Sequence, residues 1–156
     1  MKWVKQSIHY WCPDTKEQKF LGQNVTVAIL DTGISPHPDF KGRILSFRDF
    51  SNTTGSSEKV LFSFSHFSPL IDNSGHGTHV AGILAGSGLL SSGTYAGIAP
   101  FCNLIIGKVL DQNGNGSIKN VINGIQWIRD IYTQFHIRII NISVGTRPDL
   151  SIHQKL

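Results

Sequence analysis

Apolar residues along this chain gather into three short runs, with one long helical period between the second and third. Residues 25–30, Val25-Thr26-Val27-Ala28-Ile29-Leu30, are β-branched and almost continuously apolar, the pattern of a strand buried on both faces of a parallel sheet. That run stops at Asp31-Thr32-Gly33. A second run, 103–110, leads into the turn-rich Asp111-Gln112-Asn113-Gly114-Asn115-Gly116. Ser117 is placed to cap a helix. Beyond it Ile118, Val121, Ile122, Ile125, Ile128, Tyr132 and Phe135 recur at steps of three or four, which predicts a helix over 117–135 with one apolar face. The third run, 137–144, follows at once and reads as another strand.

Strand, helix and strand in that order make a βαβ unit, so the predicted class is α/β, a parallel β-sheet flanked by helices. Residues 76–86 form a small-residue segment whose glycines each cost a helix about 1 kcal/mol relative to alanine. Such a cost is tolerated where neighbouring backbone must come close. Residues 51–75 are rich in Ser, Asn and Gly and hold Phe62, Phe64 and Phe67 without a helical period, so they read as a long surface excursion. Residues 1–23 show no clear periodicity and read as a leader packing onto a domain that runs over 24–156.

With 156 residues, 40% of them hydrophobic, the chain can bury a core without disulfide staples. Its 14 Lys and Arg against 10 Asp and Glu give +4, scattered rather than blocked, which argues against nucleic acid as a partner. No run approaches the roughly 20 apolar residues of a membrane span, so no membrane partner is expected. No signal-peptide core follows the first residues, and the expected location is cytoplasmic. Cys12 and Cys102 have no CxxC spacing and read as ordinary thiols.

Two places carry candidate chemistry. Asp31 ends the first strand, where α/β sheets form their ligand sites, although an Asp before Gly33 also serves simply to close a turn. His76 opens the small-residue segment behind the loop Asp72-Asn73-Ser74-Gly75. His76 and His79, three apart, could ligate a metal on one helical face, but no third ligand and no helix Glu accompany them, and no metal is assigned. The loop at Asp111 mimics half of an EF-hand, yet Ile122 stands where a bidentate Glu is required.

The segment Ile29-Leu30-Asp31-Thr32-Gly33-Ile34, then His37-Pro38-Asp39-Phe40, then His76-Gly77-Thr78-His79-Val80-Ala81-Gly82, resembles the subtilisin family of serine endopeptidases. Tyr95-Ala96-Gly97-Ile98-Ala99-Pro100, Lys108-Val109-Leu110-Asp111, Gly114-Asn115-Gly116-Ser117 and Ile140-Asn141-Ile142-Ser143-Val144-Gly145 resemble its next segments in order. The resemblance implies the N-terminal part of a catalytic domain, with the sheet incomplete on its C-terminal side. Carried over by motif, Asp31 orients the catalytic histidine and His76 is the general base acting on a polypeptide substrate. Gly114, Asn115 and Gly116 would form one edge of a substrate cleft and Ser143, Val144 and Gly145 the other, with a peptide lying between them as an added strand. His79 would take a packing role, and Asp39 matches a position that stabilises a turn and in some members binds calcium. No cofactor is implied for catalysis. Calcium stays unassigned, because residues 86–97 lack the carboxylates or asparagines of the family's ion loop.

The family's nucleophile lies in a Gly-Thr-Ser-Met-Ala type segment, after an Asn that donates to the oxyanion, and neither occurs in these residues. Loss of the attacking serine costs such a hydrolase about 10⁶ in turnover, so the chain alone is expected to be inactive, as the N-terminal portion of a parent peptidase. Two other readings compete. The chain could be a non-catalytic peptide-binding remnant or decoy. It could also be an aspartic peptidase using the Asp31-Thr32-Gly33 turn, although Ile34 departs from that motif and His76 is left idle.

Overall fold

β1 (Thr26–Asp31) is buried at every position, and it lies inside the sheet rather than at its rim. The computed structural model describes residues 2–8, 10, 20–51, 60–61 and 72–145. Besides β1 these hold α1 (Lys2–Ser7), β2 (Ile44–Asp49), β3 (Val60–Leu61), α2 (His76–Ala85), β4 (Asn103–Lys108), α3 (Ile118–Ile131) and β5 (Ile137–Ile142). The strand order is β3-β2-β4-β1-β5. All pairings are parallel except that of the two-residue β3, which runs antiparallel to β2. The structure is thus the α/β sheet with flanking helices that the apolar runs predict.

Neighbouring strands on both sides and a hydrophobic layer on each face explain why β1 has no alternation of polar residues. Val27 and Ile29 point into a cluster with Ala81 and Ala85 of α2, whereas Ala28 and Leu30 face Trp127 and Ile128 of α3. β2 was not singled out by pattern. Only Ser46 and Phe47 of its six residues are buried, and its hydrophobic period is correspondingly weak. Apart from β3 and residues 72–75, the predicted excursion over 51–75 falls almost entirely outside the described residues, as does Cys12. From the leading segment, the Tyr10 hydroxyl donates to the Ile98 carbonyl (2.9 Å) and the Leu21 carbonyl accepts from the Phe101 amide (2.9 Å).

The predicted apolar stripe of α3 is buried only in part. Of that stripe Ile128 is buried and Val121 and Phe135 pack partly buried against the same cluster, whereas Ile118, Ile122, Ile125 and Tyr132 are exposed, at 77%, 47%, 40% and 55%, and the buried face also takes in Gly124 and Trp127. The helix carries two adjacent apolar stripes. The sheet takes the one centred on Gly124, whose missing side chain allows close approach: a β-carbon there would stand 3.0 Å from Leu30 Cδ2. Ser117 caps the start as predicted, its hydroxyl accepting from the Asn120 amide at 3.1 Å, but the helix ends at Ile131 rather than near 135. β5 likewise stops at Ile142, and it is not a buried strand: Ile139, Ile140 and Ile142 are exposed, because among the described residues β5 pairs only with β1.

Candidate active site

Parallel strands β4, β1 and β5 end on one side of the sheet, with Asp31 opposite Lys108 and Leu30 opposite Ile142 in register. Asp31, at the end of the central one of these three strands, is fully buried. Its Oδ1 lies 2.7 Å from His76 Nδ1 at the first residue of α2, and the same oxygen accepts the Thr32 amide at 2.7 Å. The His76 side chain is 53% exposed. An ionised carboxylate only accepts, so Nδ1 carries the imidazole proton and Nε2 keeps its lone pair. Hydrogen bonding to Asp31, reinforced by its negative charge, raises the His76 pKa above its ordinary value of 6.5.

α2 is brought to Asp31 by polar anchors at its start. Its N-cap, Gly75, has φ 84° and supplies no side chain, so the first amides of the helix need partners from elsewhere. Asp72, buried, fills that need. One carboxylate oxygen accepts the Gly75 amide (2.8 Å), the Ser74 amide (3.2 Å) and the Thr32 hydroxyl (2.8 Å). The other accepts the amide (2.8 Å) and hydroxyl (2.6 Å) of Thr78. Thr32 closes the circuit by accepting the Gly77 amide at 2.9 Å. Although burial pushes the Asp72 carboxyl upward, hydrogen bonds from Thr78, Thr32 and Gly75 outweigh it and leave the pKa below 3.8. Reading by motif assigned no role to Asp72, Thr32 or Thr78. The signal was an Asp three residues before Gly75 and six before Thr78, the spacing of a loop folded back on a helix start.

The remaining candidates fall in loops on the same side of the sheet. Gly114, Asn115 and Gly116 lie exposed in the turn after β4, where Gly114 has φ 76° and Asp111 Oδ1 accepts the amides of Asn113 (2.8 Å) and Asn115 (2.9 Å). Ser143, Val144 and Gly145 follow β5 and are exposed, with the Ser143 hydroxyl donating to Asn141 Oδ1 at 2.8 Å. His79 does not take the packing role the resemblance implied. It is exposed, because residues 76 and 79 share the outward face of α2 while Gly77, Ala81 and Ala85 face the sheet. Among the described residues no three His, Cys, Asp or Glu side chains converge as a metal site. Cys102 is buried and free, and burial pushes its thiol pKa up, away from reactivity.

Residues 22–155 match the model of the subtilase family, Peptidase S8. The chain belongs to that family. Among its relatives are the serine protease AprX of Bacillus subtilis, 44% identical over 110 residues, and the major intracellular serine protease of the same organism, 37% identical over 131 residues. Those matches take in 70% and 83% of this chain but only 22% and 36% of the relatives, so this subtilase chain spans about a third or less of their length. The solved structure of the CspB protease of Clostridium perfringens superposes with a TM-score of 0.72 at 26% identity, covering 89% of this chain and 32% of that one. Both named relatives are serine proteases, and the family is the one that the order of the motifs implied. The aspartic-peptidase alternative falls with that assignment.

Calcium, which the resemblance left open at Asp39, can be tested against the atoms there. Asp39 Oδ2 accepts the Gly88 amide (3.0 Å) and Oδ1 the Leu90 amide (3.3 Å). Both carboxylate oxygens thus face N–H groups of the loop that would have to turn carbonyls toward an ion taking six to eight oxygens. This donor set does not fit calcium.

Proposed function

We propose that this segment supplies the general base, His76, and its orienting acid, Asp31, to a serine endopeptidase whose nucleophile and oxyanion donor come from residues outside this chain. The observation that carries the reading is the 2.7 Å hydrogen bond from His76 Nδ1 to a fully buried carboxylate, with the ring half-exposed at the end of the sheet. Asp31 fixes the tautomer, so Nε2 is free to take a proton from an approaching hydroxyl and return it to the leaving amine. Asp31 also stabilises the imidazolium formed in between. The loops at Gly114–Gly116 and Ser143–Gly145 would hold the substrate main chain on either side of β1.

The test is peptide hydrolysis by the whole protein from which this segment comes. His76→Ala should lower kcat by about 10⁵ to 10⁶, and the 156-residue chain alone should give no turnover. Unchanged hydrolysis in His76→Ala would overturn the reading. A second reading, a peptide-binding remnant that does not cleave, is favoured by the exposed apolar residues of β5. Peptide affinity in the purified chain, without cleavage and unaltered by His76→Ala, would select it.

A further inference from the structure

The junction between the end of α2, the turn at Pro38–Phe40 and the entries to β2 and β4 is built around one side chain, Arg43. Its Nη1 donates to the Cys102 carbonyl at 2.9 Å, and its Nη2 donates to the carbonyls of Ala85 (2.6 Å) and Asp39. Ala85 is the last residue of α2, where unsatisfied carbonyls and the helix dipole favour a cation. The other carbonyls of that last turn are also taken, Gly82 by the Gly86 amide (3.0 Å), Ile83 by Ile98 (3.0 Å) and Leu84 by Ala99 (2.7 Å). Each carbonyl of the turn thus has a hydrogen-bond donor.

Anionic and cationic partners are thus segregated here. The loop that follows α2 turns its amides to Asp39: Gly88 and Leu90 donate to the carboxylate and Ser87 to the Asp39 carbonyl (3.2 Å). The carbonyls of Ala85, Asp39 and Cys102, which flank that loop, meet a guanidinium, which stays charged and whose planar fork holds several acceptors at once. We propose that Arg43 is the resident cation of this junction, and that its fork together with the Asp39 carboxylate fixes loop 86–97 without a bound calcium ion. Arg43 is a positioning residue in this scheme. It holds the far end of α2, the helix whose first residue is His76.

The experiment uses the full 156-residue chain and two readouts, the thermal midpoint and hydrogen exchange across residues 86–97, each in excess calcium chloride and in chelator. The midpoint and the exchange should coincide in the two solutions. A calcium site filled at a hundred times its Kd would raise the midpoint by roughly 5–10 °C and slow the exchange, and that result, lost in Asp39→Asn, would overturn the proposal. Arg43→Lys keeps the charge but not the fork, and exchange across 86–97 should quicken about tenfold. Unchanged exchange in that variant would overturn the role given to Arg43. If Arg43→Lys does not fold, the calcium and chelator comparison on the unaltered chain decides, because it needs no substitution.

Discussion

Gly77 lies so close to Gly33 that a β-carbon on it would stand 2.2 Å from the Gly33 carbonyl oxygen and 3.2 Å from Asp31 Cβ. The contact is with backbone, so neither partner can move aside cheaply. It sets the distance between α2 and the end of β1, and with it the reach of His76 to Asp31. Gly77→Ala should therefore destabilise the chain by about 3 kcal/mol or more and lengthen the His76–Asp31 bond. Gly82, in the same helix, has open space where its β-carbon would go, and Gly82→Ala should be neutral or stabilising by up to about 1 kcal/mol. Denaturant unfolding of the two variants checks the contrast.

Asp72 gives the start of α2 its pH dependence. Its native pKa lies below the ordinary 3.8, so the stability it contributes is present above about 3.8 and is lost as pH falls through the lower native value. Asp72→Asn removes an acceptor for the Thr78 amide or hydroxyl and should cost about 2–4 kcal/mol at neutral pH. The variant should also lose stability less steeply than the wild type below pH 4, as read from unfolding midpoints across that range.

The parts of the molecule that could be read from residues alone are those in which a local pattern and its tertiary surroundings agree. β1 and β4 are covered on both faces, and their continuous apolar runs show it. Asp31 and His76 stand at the end of a strand and the start of a helix, in motifs whose order narrows the family. The face that α3 turns to the sheet was legible only in part: Ile128 lies on the predicted apolar stripe and is buried, but the contact centres on Gly124, which contributes no hydrophobicity of its own to the pattern. Asp72 was missed for a different reason. Its partners Thr32 and Thr78 lie 40 and six residues away, and only folding brings the three together.

The Asp31 carboxylate should be visible in the titration of His76. In the native chain the imidazole pKa lies above 6.5, so the imidazolium pair stabilises the fold fully below about 6.5 and that contribution is lost as pH rises through the native value. Asp31→Asn should bring the midpoint, followed by NMR of the ring, back toward 6.5 or lower. In the whole protein the same change should move the acid limb of kcat/KM to lower pH and reduce kcat by about 10⁴. A His76 midpoint that does not move would show that the bond to Asp31 does not govern its basicity.

His79 separates the family's expectation from this structure. An exposed side chain on the outward face of α2 has no packing to lose, so His79→Ala in this chain should change stability by no more than about 0.5 kcal/mol. A loss of several kcal/mol in chemical denaturation would restore the packing role.

Trp127 tests which stripe of α3 holds the helix to the sheet. The residue is 7% exposed and shares a core cluster with Leu30 and Ile105, and its ring lies 5.7 Å from that of Phe50. Ile122, on the apolar stripe read from the sequence, is 47% exposed. Trp127→Ala should cost about 3–5 kcal/mol, the range for a large aromatic removed from a core, whereas Ile122→Ala should cost less than about 1 kcal/mol. Equal costs in the two variants would mean that α3 turns its other face to the sheet in solution, and the placement of Gly124 against Leu30 would fall with it.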